Sequence, residues 1–177
     1  VDTIGRTDAQ ILAQMRSDAK VLSLEEMLYA ATLTEDVNEQ LKFYQVTADN
    51  YPKCLRAQIN VAYTLLSQGK VDEALASLEK AVAIQNNDVV KNNMAFAYLL
   101  NGEIAKAEET FNSMTAATDE SKWGLGVIAL TRGEYDKAVT FFGTEPCFNL
   151  ALAQLLKGDV TQAKATLDKM TESCASG

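Results

Sequence analysis

One spacing organises the hydrophobic and polar positions of this chain. It runs leucine, two residues, glycine, one residue, a bulky apolar residue, two residues, alanine, three residues, then leucine or phenylalanine. It occurs four times, as Leu66, Gly69, Val71, Ala74 and Leu78; Leu99, Gly102, Ile104, Ala107 and Phe111; Leu130, Gly133, Tyr135, Ala138 and Phe142; and Leu155, Gly158, Val160, Ala163 and Leu167. The spacing describes a helical hairpin. The leucine closes the buried stripe of a first helix. The glycine stands just past it, where a left-handed backbone is inexpensive without a Cβ. The next apolar residue opens a second helix, and the alanine and the residue four further on share its inner face. Strict alternation of apolar and polar residues is scarce, so little or no sheet is expected.

A second landmark precedes each glycine. Asn60-Val61-Ala62, Asn93-Met94-Ala95 and Asn149-Leu150-Ala151 begin nine residues before it, and Gly124-Leu125-Gly126 holds that place in the third copy. Aligned on the glycines, Ala62, Ala95, Gly126 and Ala151 form one series of small residues, in first helices. Ala74, Ala107, Ala138 and Ala163 form another, in second helices. The pattern resembles the tetratricopeptide repeat (TPR), including the asparagine-leucine-glycine portion of its first helix. That resemblance implies an all-α fold, a right-handed α-solenoid of antiparallel helical hairpins with about 10–11 helices. Both small-residue series fall on the close-contact sites of a TPR hairpin.

The array is irregular. Its motif glycines lie 33, 31 and then 25 residues apart, against a TPR period of about 34. The expected organisation is an extra N-terminal helix in 1–20, a degenerate hairpin in 21–54, repeats in 55–87 and 88–118, a shortened repeat in 119–143, a terminal shortened repeat in 144–172 and a tail in 173–177. Thr7 to Gln10 caps a helix near Asp8 to Ala19, and Ser23-Leu24-Glu25-Glu26 is a capping box. In the degenerate hairpin Val37, Tyr44 and Pro52 align with the family's apolar, aromatic and closing proline positions, while Thr34-Glu35-Asp36 replaces the glycine link. Tyr135 to Phe142 makes about two turns before Gly143 stops it, and Pro146 is expected in the first turn of the next helix. The shortened unit should bend the solenoid. The opening stretch Leu24 to Leu33, leading to Tyr51-Pro52, also resembles TPR regions of Bacteroidetes-type envelope proteins. That favours a fragment of a larger bacterial envelope protein in the periplasm, with the cytoplasm as the alternative.

Composition narrows the function. The net charge is -8, with 16 Lys and Arg against 24 Asp and Glu. No basic cluster offers phosphates or an anionic membrane a landing site, so no nucleic-acid partner is expected. No apolar run approaches a membrane-spanning length, so direct membrane insertion is not expected either. No signal peptide precedes Val1, and a chain that does not begin with Met reads as a processed or trimmed piece. There is no histidine, and Cys54, Cys147 and Cys174 are widely spaced. No metal, cofactor or catalytic constellation is expected, and the chain is not read as an enzyme. The pairs Glu25-Glu26, Asp72-Glu73 and Glu108-Glu109 are sequence neighbours, which point about 100° apart on a helix and so make poor acid–base pairs. Cys147, near a helix start, is either a thiol of lowered pKa or simply a small packed residue.

The resemblance implies a protein or peptide partner held by the first helices on a concave face. The carried-over positions are Arg56, Ile59, Asn60 and Tyr63; Asn92, Asn93 and Phe96; Trp123 and Val127; and Phe148, Asn149 and Leu152. Asparagine offers both a donor and an acceptor to a peptide backbone, and aromatics supply contact area. The competing readings are that the asparagines merely join neighbouring repeats, that the aromatics are covered, and that the chain is a spacer or self-assembly element. Either way a monomer or weak homo-oligomer is expected. The TPR clamp for chaperone C-terminal carboxylates needs lysine and arginine where this chain has Ile59, Tyr63, Asn92, Phe96, Trp123 and Val127. A calorimetric titration with a peptide ending in a free Glu-Glu-Val-Asp should therefore show no saturable binding, and tight binding would refute this reading.

Overall fold

The computed structural model describes residues 5–175. Val1 and the Ser176-Gly177 tail lie outside them, as does the side chain of Cys174. Among the described residues there are eleven α-helices and no strand. They are α1 (Asp8–Ser17), α2 (Leu24–Ala30), α3 (Val37–Asn50), α4 (Leu55–Ser67), α5 (Val71–Ile84), α6 (Asp88–Leu100), α7 (Ile104–Asn112), α8 (Asp119–Thr131), α9 (Tyr135–Phe142), α10 (Phe148–Lys157) and α11 (Val160–Ala175). The chain divides into two compact units, 1–97 and 98–177. In the first, each helix from α1 to α5 packs on its sequence neighbour, and in the second the same holds from α7 to α11. This is the all-α hairpin array that the motif predicts.

The four motif glycines end α4, α6, α8 and α10 in the same way. All have positive φ, from 74° to 98°. In each the glycine N–H donates to the motif leucine three residues back, at 3.0–3.2 Å. The next N–H reaches five residues back at 2.9 Å: Lys70 to Leu65, Glu103 to Tyr98, Glu134 to Ala129 and Asp159 to Gln154. These paired bonds satisfy helix carbonyls that would otherwise be orphaned and turn the chain into the second helix.

All eight small-residue positions are buried. Ala62, Ala74, Ala95, Ala107 and Ala138 have no exposed surface. In the first unit Ala62, Leu78 and Ala97 form one cluster with Leu66, Leu75 and Met94. A second cluster joins α3, α4 and α5 through Leu41, Ala57, Val61, Leu65 and Ala74. The degenerate hairpin has its own core of Ile11, Met15, Leu22, Met27, Ala30 and Phe43. There α2 tightens into a 3-10 turn over Ala31–Leu33, and Asp36 caps α3 by accepting from the N–H groups of Asn38 and Glu39. Thr7 and Ser23 form the expected capping boxes of α1 and α2.

Two copies of the motif end in phenylalanine, and α8 accommodates both rings. A Cβ on Gly124 would lie 2.4 Å from the Phe111 ring, and one on Gly126 2.6 Å from the Phe142 ring. The glycines make room for larger fillers. Bulk added on the second helices is removed from α8, as close packing requires.

Two features depart from the sequence reading. Pro146 does not enter the first turn of α10; it precedes Cys147, which is the N-cap and accepts from the Leu150 N–H through Sγ at 3.4 Å. A proline one residue before the cap fixes the approach of the chain instead of starting the helix. The last helix also continues through Ala175, beyond the stretch that the motif covers.

Ion pairs pin helices across their exposed edges. Arg16 is bidentate to Glu39, at 2.7 and 3.1 Å, joining α1 to α3. Arg56 of α4 pairs with Glu25 of α2. Glu26 turns elsewhere, accepting from the Ser23 N–H at 2.8 Å and from Arg6 at 2.9 Å. Adjacent carboxylates thus serve different partners. Glu26 sits below the usual carboxylate range because of the Ser23 backbone N–H and Arg6, and Glu39 because of Arg16.

Gly124→Ala and Gly126→Ala should each destabilise the protein by about 1–3 kcal/mol through overpacking, although alanine favours helix by about 1 kcal/mol. Gly102→Ala, where nothing lies within 4 Å of the added Cβ, should cost only about 1–2 kcal/mol through its left-handed backbone; urea unfolding measures all three. In acid, a carboxylate lowered in the folded state stabilises it fully above its unfolded pKa, about 4.3, and loses that contribution as pH falls through the folded value. The melting temperature should therefore drop as pH falls below about 4.3, and Glu39→Gln should flatten that drop in a calorimetric pH series.

Candidate functional site

The sequence-predicted residues fall into two sets, one in each unit. In the first unit α4 carries Arg56, Ile59, Asn60 and Tyr63, whose steps of three, one and three residues keep them on one face. Tyr63 stands out at 67% exposure, while Ile59 and Asn60 are half-buried. Arg56 is held by Glu25, so its charge is already partnered within the protein. Asn92, Asn93 and Phe96 of α6 are half-buried. The Asn93 amide donates to the Val89 carbonyl one turn earlier, at 2.9 Å. Helices α4 and α6 adjoin through the cluster built on Ala62, Met94 and Ala97. Val89, 55% exposed, falls in the same stripe as Asn93 and Phe96, and the sequence reading missed it. Its four- and seven-residue offsets from them were the available signal.

In the second unit α8 presents Trp123, 45% exposed, and a half-buried Val127 one turn on. Phe148 opens α10 at 63% exposure, with Asn149 and Leu152 half-buried beside it. These helices adjoin through Ala129, Leu150 and Ala153. Each unit therefore offers exposed aromatic surface on first helices, flanked by asparagine amides, over a base of small buried residues. Such surface suits apolar and hydrogen-bonding contact with a polypeptide.

The second unit also holds a depression of about 530 Å³ over α7, α8 and α9, lined by Glu108, Leu125, Glu134, Asp136, Lys137 and Phe141 among others. Its acids are engaged: Glu108 with Arg132 at 2.5 Å, Glu134 with Lys137 at 2.6 Å and Asp136 with Lys157 at 2.7 Å. Lys137 holds Glu134 below the usual carboxylate range, the opposite of what a general acid at neutral pH needs. Among the described residues no three His, Cys, Asp or Glu side chains gather to hold a metal ion. Cys54 and Cys147 are free thiols, and the Cys147 Sγ accepts the Leu150 N–H. No described helix is long and apolar enough to cross a membrane.

Comparison with known proteins fits this architecture. Residues 65–125 and 148–174 each match a family model described as tetratricopeptide repeat. No curated protein sequence matches the chain. Among solved structures, the hetero-tetramer Cut9-Hcn1 of the APC/C superposes with a TM-score of 0.76 at 15% identity, over 90% of this chain and 34% of that one. The chain thus spans about a third of that relative's length. A tetratricopeptide repeat protein from Parabacteroides merdae gives a TM-score of 0.76 at 17% identity, covering 93% of this chain and 71% of its own. YrrB, described as a TPR protein with an unusual peptide-binding site, gives 0.62 at 17% identity, over 92% and 91%. At these identities the superpositions speak for the fold, and the repeat models speak for the family. With its glycine turns, its paired small residues and these matches, the chain belongs to the tetratricopeptide repeat family, whose members are scaffolds for protein–protein interaction.

Proposed function

We propose that the protein holds a peptide or protein segment against its first helices, on the face of α4 and α6 in one unit and of α8 and α10 in the other. The observation that carries this reading is the exposure of Tyr63, Trp123 and Phe148, at 67%, 45% and 63%, on the positions carried over from the repeat pattern. Large aromatic groups left in water at repeated positions of a scaffold favour a partner that covers them. The half-buried asparagines supply amides that can meet an extended backbone without reading its side chains. The engagement of Arg56 with Glu25 leaves the face without a free carboxylate-binding cation on α4, so the preferred segment is apolar and internal to a chain. The peptide-binding site named for YrrB supports the same class of ligand.

The test compares the intact chain with Tyr63→Ala, Trp123→Ala and Phe148→Ala, singly and combined, in native pull-down and then in titration with the captured partner. Because these side chains are exposed, circular dichroism should be unchanged. Loss of each central aromatic should weaken binding by about 1–3 kcal/mol. A partner list untouched by the triple change would refute the first-helix faces and favour a spacer without a ligand.

A further inference from the structure

The third copy of the motif inverts a pairing of side chains that the other three share. The residue four before the motif glycine is Leu65, Tyr98 and Gln154 in those three, but Ala129 in the third. The residue eight after the glycine is Ser77, Thr110 and Thr166 in those three, but Phe141 in the third. In the last copy the two positions touch, because the Thr166 hydroxyl donates to the Gln154 side-chain oxygen at 2.7 Å. Three copies thus set a larger residue on the first helix and a smaller one on the second. The third sets alanine on the first helix and a ring on the second. Bulk is moved from the floor of the hairpin to its wall.

Ala129 and Phe141 both line the depression of about 530 Å³ over α7, α8 and α9. Leu125, one turn before Ala129, extends the apolar floor, and the Phe141 ring is half-buried. The lining charges are the carboxylates of Glu108, Glu134 and Asp136 and the ammonium of Lys137. Each carboxylate engages its cation through one oxygen: Glu108 Oε2 with Arg132, Glu134 Oε2 with Lys137 and Asp136 Oδ1 with Lys157. A carboxylate accepts through both oxygens, so each keeps acceptor capacity at the rim. The Glu108 and Asp136 side chains are 41% and 81% exposed, and ion pairs so open to water resist rearrangement only weakly.

We propose that this depression is a binding site for an arginine side chain of a partner polypeptide. The aliphatic stem rests on Leu125 and Ala129, and the guanidinium lies against the Phe141 ring, whose face attracts a cation. Its planar fork of five N–H donors reaches the carboxylates of Glu108 and Glu134 together, which the point charge of a lysine does less well. Asn112, also in the lining, offers an amide to the backbone on either side of the arginine. The net charge of -8 favours a cationic ligand. Leu125 is two residues from both Trp123 and Val127, about 200° round α8 from each. The depression therefore lies on the other side of that helix from the proposed first-helix face, and either site can fail without the other.

The probe is a blocked pentapeptide with one arginine between two pairs of glycines, titrated into the isotopically labelled full chain and followed by amide chemical shifts. Saturable shifts are expected at Leu125, Ala129 and Phe141. Norleucine in place of the arginine should weaken binding at least about tenfold, as should Glu108→Gln combined with Glu134→Gln, because each removes charge-assisted hydrogen bonds. The double change Ala129→Leu and Phe141→Ser rebuilds the Leu65 and Ser77 pairing of the first copy. It fills the floor and should abolish binding with circular dichroism unchanged. Trp123→Ala should leave binding as it is. Absence of saturable shifts, a norleucine peptide that binds as well, or binding indifferent to the double change in a folded protein overturns the proposal. Should the double change not fold, the glutamate changes decide, and binding indifferent to them overturns it. Spermidine binding more tightly than the peptide would assign the depression to a small cation and overturn the polypeptide ligand.

Discussion

Within each unit the repeat hairpins rest on two helices meeting at small residues: Ala62 and Ala74 in α4 and α5, Gly126 and Ala138 in α8 and α9, and Ala151 and Ala163 in α10 and α11. All six are buried. Close approach multiplies dispersion contacts that are individually weak, and it brings a bulky residue one turn away into the space beside the crossing. The constraint is on shared volume and not on residue identity. On α8 it is met with Gly124 and Gly126 because the neighbouring fillers are phenylalanine rings. Where the filler is Leu78, alanine and methionine suffice.

That packing would be of little use if the connection between the helices were loose. The glycine turns make it short and uniform. Two backbone hydrogen bonds close each first helix, and the residue after the glycine becomes the N-cap of the second. Lys70, Glu103 and Glu134 cap α5, α7 and α9 without a side-chain hydrogen bond. The turn therefore supplies the geometry that elsewhere comes from a capping side chain, as at Thr7, Ser23, Asp36 and Thr118. Glu103 and Glu134 are left to pair with Lys106 and Lys137, three residues on.

A scaffold built this way buries one stripe of each helix and leaves the opposite stripe nearly unconstrained. Function can occupy that stripe without disturbing the fold. Tyr63, Trp123 and Phe148 are exposed in this way, while carboxylates such as Glu108 and Asp136 are engaged in pinning one helix to the next. The exposed face of α10 and α11 has a different origin. It is made of motif residues whose upstream counterparts are buried, as for Leu167, or half-buried, as for Leu155 and Val160.

The amino-acid sequence by itself determined the hairpins, their glycine turns, the small-residue contacts and the capping boxes at Thr7 and Ser23. These are local or periodic constraints, set by backbone sterics and by spacings of three and four residues that any reader of the chain can count. It also determined the pairing of phenylalanine with glycine, although that correlation is visible only once the partners are known to touch. Tertiary structure alone decided that Cys147 caps α10 and that Pro146 stands outside its first turn, because a cap is defined by which N–H groups find an acceptor. It alone decided that Arg56 spends its charge on Glu25, 31 residues away, and that Leu155, Val160 and Leu167 are bare while their counterparts are covered. Burial and ion pairing depend on what arrives from elsewhere in the chain, and a repeated motif spells the same residues whether or not another helix comes to rest on them.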